Sequence, residues 1–145
     1  MSTWTAKTTT TAHPTALIDM LTDPEAARRW APVAFDVDEL EGRRLRKGVR
    51  ARISGRLAGR SVGFDVEVHE ADERGLSLAA RGPVGFDVAY QLTPTDAGSE
   101  VHASVALHPN RGLAGRLLAE ATGALLTAGA LETAVSRLVR EAAAA

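Results

Sequence analysis

Few side chains in this chain are suited to chemistry, and their spacing narrows the choice further. There are four histidines, one tyrosine and no cysteine among 145 residues. Without cysteine there is no thiol nucleophile, no disulfide and no cysteine-ligated zinc. His102 and His108 fall on the same polar parity of one alternating stretch. At strand rise they stand about 20 Å apart, too far to share a metal ion. His13 precedes a proline, and His69 shares a polar face with Asp65 and Glu67, so both are expected on the surface or in a loop. No HExxH, GxSxG or phosphate-cradling glycine loop occurs. We therefore expect no catalytic residue, no metal and no cofactor.

Tyr90 is the exception. It shares the apolar parity of its segment with Val88 and Leu92, whereas Asp87 and Gln91 take the outer parity. A buried phenol ordinarily finds a hydrogen-bond partner. Tyr90 is thus either a satisfied core tyrosine or a polar handle for a bound molecule. Thr8 and Thr10 add hydroxyls to the same interior if the first segment turns its even-numbered face inward.

Charge excludes more than it suggests. A formal net charge of −1 supplies no field to gather nucleic acid or an anionic membrane. The one basic cluster is Gly42-Arg43-Arg44-Leu45-Arg46-Lys47-Gly48, bracketed by glycines and preceded by Asp36, Asp38, Glu39 and Glu41. It reads as an exposed loop at a sheet edge, with a gate for an anionic headgroup, carboxylate or membrane surface as the sharper alternative. No aromatic residues interleave these cations, so nucleic acid is not expected. No apolar leader and no membrane-length run is present, so a cytoplasmic protein without stable membrane insertion is expected. The sequence carries no signal for an oligomeric state.

The elements that must position these residues change period along the chain. Trp4 to Ala12 is threonine-rich, with Trp4, Ala6, Thr8 and Thr10 on one face, and predicts a strand. After His13-Pro14, Thr15 to Leu21 predicts a short helix. Asp23-Pro24 starts a second one that runs to Trp30 and stops at Pro32. From Val33 to Leu107 the apolar period is two, predicting six antiparallel strands joined by tight turns. If Ala58-Gly59 is a two-residue hairpin turn, Ile53 opposes Phe64 and Ala51 opposes Val66 inside. Outside, Arg52 then meets Asp65 and Arg50 meets Glu67, a favourable set of cross-strand pairs.

The last segment, Leu113 to Glu141, predicts a single amphipathic helix of roughly 29 residues, about 43 Å long. Its stripe is Leu117, Ala121, Ala124, Leu125, Ala128, Leu131, Val135, Leu138 and Val139. Small residues crowd its middle, including Gly123 and Gly129, each costing about 1 kcal/mol against alanine in a helix. Either the helix approaches the sheet closely or bends there, or it is kept thin over a cavity. Residues 1–3 and 142–145 are expected to fray around a single domain spanning 1–145.

The order strand, two short helices, six-strand meander, long helix is specific. So is the local wording: Thr11-Ala12-His13-Pro14, Leu21-Thr22-Asp23-Pro24 through Trp30, Leu40-Glu41-Gly42 with Lys47-Gly48, and Leu92-Thr93-Pro94 with Gly98-Ser99-Glu100-Val101. Together they resemble the START-like superfamily, also called Bet v 1-like or SRPBCC, the polyketide cyclase/dehydrase and lipid-transport group. Val49 and Ser99 depart from it, standing where many members place a threonine after glycine. The resemblance implies an α+β helix-grip fold, a curved seven-stranded antiparallel sheet wrapped around the C-terminal helix with a cavity between them. We expect that cavity to bind a small hydrophobic or amphipathic molecule, lipid or polyketide-like, against Trp30, Phe35, Ile53, Phe64, Phe86, Tyr90, Ala124, Leu125 and Ala128. A polyketide cyclase/aromatase using the same cavity is the second expectation, and a non-catalytic protein-interaction module covering the basic loop is the third.

Overall fold

The structure, a computed structural model, describes residues 2–31, 35–57, 59–109 and 112–144. The expected strand start at Val33 and the turn residue Ala58 lie outside the described residues. Strand β1 (Ser2–Thr10) is followed by helices α1 (Pro14–Thr22) and α2 (Pro24–Trp30). Strands β2 (Phe35–Leu40), β3 (Arg50–Leu57), β4 (Arg60–Asp72), β5 (Gly75–Arg81), β6 (Val84–Thr95) and β7 (Gly98–Pro109) form the meander. Helices α3 (Leu113–Thr127) and α4 (Ala130–Ala144) complete the chain.

All seven strands join one open, curved antiparallel sheet in the order β1-β7-β6-β5-β4-β3-β2. The register of the β3–β4 hairpin is the one its charges and apolar residues favour. Ile53 pairs with Phe64, Ala51 with Val66, Arg52 with Asp65 and Arg50 with Glu67. Arg52 and Asp65 approach to 3.4 Å on the solvated face, where such a pair contributes about 0 to 1 kcal/mol. Register shifts at Val37/Glu39 and Val68/Glu70 bend the sheet locally.

The two short helices are set by their caps. His13 accepts the Thr15 N–H through Nδ1 at 3.3 Å, and Asp23 accepts the Glu25 N–H at 3.0 Å, each with proline next in line. His13 is therefore more than a strand breaker. Trp30 donates its indole N–H to the Met20 carbonyl at 3.2 Å and locks α2 onto α1. Ser99 is fully buried and donates to the Ala12 carbonyl at 2.7 Å, stitching the start of β7 to the chain leaving β1. That hydroxyl needs no threonine methyl. Beside it, Gly98 has φ +153, and a Cβ there would stand 2.2 Å from the Thr10 carbonyl oxygen, so only glycine fits.

The C-terminal segment departs from expectation. It is two helices, not one, broken at Ala128-Gly129. Gly129 takes φ +107, a left-handed value that ends α3, and its carbonyl then accepts the Thr133 N–H to start α4. The break shifts the helical phase. In α4 the buried residues are Leu131, Ala134, Val135, Leu138 and Ala142, much as the stripe predicts. In α3 they are Gly115, Leu118, Thr122 and Leu126, about one position round from the stripe. Close approach does not require Gly123: a Cβ there would stand in ordinary contact, 3.6 Å from the Trp4 ring. At the ends expected to fray, β1 begins at Ser2 and α4 continues through buried Ala142 to Ala144.

Candidate functional site: an apolar cavity between sheet and helices

Two apolar clusters build the interior. The larger joins α1, α2 and α4 to β1, β6 and β7, with Leu17, Leu21, Leu92, Val101 and Leu138 at its centre. The smaller gathers Val62, Phe64, Val66, Ala80, Val84 and Leu107 with Leu118 of α3. Between them lies a partly open cavity of about 360 Å³, whose wall draws on both. That volume sits at the lower end of the range for small-molecule sites.

Seven of the nine expected wall residues line this cavity: Trp30, Phe35, Ile53, Phe64, Phe86, Tyr90 and Leu125. The inward parity of the five strand residues, Phe35, Ile53, Phe64, Phe86 and Tyr90, follows from period-two alternation on the concave face of the sheet. Trp30 meets Tyr90 edge to face at 5.8 Å between centroids, and Phe64 meets Phe86 at 5.6 Å. The other two, Ala124 and Ala128, are exposed and do not line it. The phase shift at Gly129 turns them outward and puts Thr122, Leu126, Ala130, Leu131 and Ala134 on the wall instead. Thr8 and Thr10 do face inward but stay outside the cavity. Thr10 accepts the Ala12 N–H, and Thr8 reaches the Thr9 carbonyl.

Leu45, one apolar residue amid four cations, is not singled out by the sequence. It lines the cavity, and its N–H bonds to the Thr22 carbonyl at 2.9 Å. The basic loop is therefore strapped down over one end of the site. Arg44 reaches the Asp19 carboxylate at 3.7 Å, and Lys47 reaches Glu70 at 3.4 Å, both on exposed surface. Among the described residues the large exposed apolar side chains are Leu113, Leu117 and Leu125, all on α3. The histidines behave as surface groups. His108 pairs with Asp87 on the outer face, and His69 stands 3.9 Å from Glu67. Among the described residues no group of three or more His, Asp or Glu side chains is placed to hold a metal ion.

Polar groups in the wall are sparse and mostly committed. Thr122 donates to the Leu118 carbonyl at 2.7 Å, and Ser54 donates to Asp38 at 3.2 Å. Arg56, exposed, donates to the Gly59 carbonyl at 2.9 Å. Tyr90 is 4% exposed, yet its hydroxyl makes no hydrogen bond with any described residue. No fully enclosed side-chain nitrogen or oxygen among the described residues lacks a partner, so this oxygen keeps some accessible surface, and its residue lines the cavity. Burial pushes its pKa well above the ordinary phenol value, because the desolvated phenolate is disfavoured.

A family model described as polyketide cyclase/dehydrase and lipid transport matches residues 1–143. The chain belongs to that family. Solved structures agree on the fold. Protein CV1439 from Chromobacterium violaceum superposes with a TM-score of 0.71 at 13% identity, covering 99% of both chains. TTHA0849 from Thermus thermophilus gives 0.72 at 18% identity, covering 99% of this chain and 98% of that one. Ara h 8.0201 gives 0.61 at 14% identity, covering 96% and 98%. No curated protein matches the chain in sequence.

Proposed function

We propose that this protein binds a small, largely apolar molecule in the cavity between its sheet and helices α2, α3 and α4. The observation that carries the reading is the wall itself. Some 360 Å³ is lined by aromatic and aliphatic side chains from both core clusters, with few polar groups among them. Binding then works by desolvation: apolar surface leaves water, worth roughly 25 cal/mol per Å². The family includes lipid-transport and cyclase members, which fits a lipid or polyketide-like ligand.

Catalysis has less support. Among the described residues the ionisable groups of the wall are Arg56 and Tyr90. A guanidinium carries donors and no acceptor, and Tyr90 holds its proton more tightly than a free phenol. Neither is a base matched to neutral pH. The interaction-module reading needs an apolar patch beside Arg43 to Lys47, and the exposed leucines lie on α3 instead.

The test uses native mass spectrometry of the purified protein together with titration of the neutral fluorophore N-phenyl-1-naphthylamine. A retained small molecule, or saturable one-to-one enhancement of the fluorophore, is expected. Val88→Phe, which adds bulk at a wall position on β6, should abolish either signal while keeping the far-ultraviolet circular dichroism. No retained molecule and no saturable enhancement in the parent would overturn the reading.

A further inference from the structure

We infer that the cavity selects an uncharged ligand carrying one oxygen acceptor, such as a ketone or ester, seated on the Tyr90 hydroxyl, and that it discriminates against carboxylates. This rests on the ligand-binding reading above and adds the chemical class. Three observations carry it. First, Tyr90 lines the cavity at 4% exposure, and its hydroxyl, unpartnered among the described residues, is not fully enclosed. Buried hydroxyls are nearly always hydrogen-bonded, so this one is fitted to a bound partner. Second, the other polar groups of the interior are already engaged. The Trp30 N–H is held by Met20, and the Thr122 hydroxyl by the Leu118 carbonyl.

Third, among the described residues the wall holds no cation in its interior, and the basic residues flanking Leu45 do not line it. Its one charged side chain, Arg56, is exposed and occupied by the Gly59 carbonyl. A carboxylate carried in to Tyr90 would lose its hydration with a single hydrogen bond in return, a heavy penalty for a buried charge. A carbonyl carries no such penalty. Because burial keeps the phenol protonated across the physiological range, Tyr90 presents its O–H as a donor. Trp30, edge to face against the Tyr90 ring and fixed at both its ring and its N–H, holds the phenol in place.

The experiment is displacement of N-phenyl-1-naphthylamine by undecan-2-one, undecane and undecanoate, in the parent, Tyr90→Phe and Arg56→Gln. One neutral hydrogen bond contributes roughly 1 kcal/mol, which is about a fivefold preference. The parent should therefore favour the ketone over the alkane about fivefold and over the carboxylate at least tenfold. Tyr90→Phe should place the ketone below the alkane, because its buried carbonyl then lacks a partner, and should not weaken the alkane. Should Tyr90→Phe fold poorly, the parent's own ranking decides the matter. Equal binding of ketone and alkane in the parent overturns the inference but leaves apolar binding intact. So does the best binding by undecanoate, with loss in Arg56→Gln, which would place the polar end at the mouth. If the fluorophore binds to saturation and none of the three displaces it, both the inference and the cavity reading fall.

Discussion

Truncating each half of the Leu117-Leu118 doublet separates the broken helix from a continuous one. In the structure Leu118 is 4% exposed and belongs to the cluster with Val62, Phe64, Val84 and Leu107, while Leu117 is 53% exposed. Leu118→Ala removes core atoms and leaves a void, which costs about 2 to 5 kcal/mol at buried leucines. The cluster is small and lies under a helix that can settle, so about 3 kcal/mol is expected. With an unfolding entropy of about 2.1 cal/mol/K per residue, a chain of 145 residues shifts by about 3 °C per kcal/mol, hence by about 10 °C. Leu117→Ala removes exposed atoms and places the best helix former in α3, so its effect should stay within about 0.5 kcal/mol. Ala124→Phe and Ala128→Phe, both on exposed positions, should be equally mild. Urea unfolding, with slopes compared to confirm an unchanged transition, gives all four values. A Leu117→Ala loss equal to or larger than that of Leu118→Ala would refute the phase assigned to α3 and restore a single unbroken stripe.

Two further outcomes follow from single residues. Gly129→Ala should destabilise by about 1 to 2 kcal/mol, because alanine must adopt φ +107. Gly123→Ala should stabilise by roughly 0.5 to 1 kcal/mol, since its Cβ would stand in ordinary contact, 3.6 Å from the Trp4 ring. Urea melts that show the same sign for both would count against the break. Tyr90 gives a pH signature. Its folded pKa is raised by burial, so the folded state keeps a proton that the unfolded chain releases near pH 10. Its contribution is fully present below about pH 10 and declines above it, by up to about 1.4 kcal/mol per pH unit. Tyr90→Phe should lose stability less steeply than the parent between about pH 10 and 11. Parallel curves would mean that the phenol ionises normally in the fold.

The sheet was legible because its signal is local and its period is two. Each strand declares its inner face within five or six residues, and a slip of one would put Arg52 or Asp65 in the core. The β3–β4 register and the inward set Ile53, Phe64, Phe86 and Tyr90 follow from that alone. The helix side of the cavity was legible only as far as the phase could be trusted. Leu138, Leu131, Ala124 and Leu117 recur at seven-residue steps, so a continuous helix carries the buried face of α4 straight onto Leu117 and Ala124. Leu117-Leu118 and Leu125-Leu126 are doublets, and a doublet alone does not say which member faces in. Gly129 resets the phase, and Leu118, Thr122 and Leu126 take the interior.

Tyr90 marks a different boundary. Parity places a side chain on a face, but it does not say whether another element brings a partner to its polar end. In this fold the elements nearest Tyr90 bring an indole edge and aliphatic side chains. The Trp30 N–H donates to the Met20 carbonyl. That carbonyl belongs to α1, two residues before the helix ends at Thr22, where carbonyls begin to lack intrahelical partners. The short α1–α2 junction at Asp23-Pro24 thus bears on the cavity as well as on the fold. By leaving a carbonyl for Trp30, it commits the indole N–H, and the Tyr90 oxygen is the one uncommitted hydroxyl of the wall among the described residues.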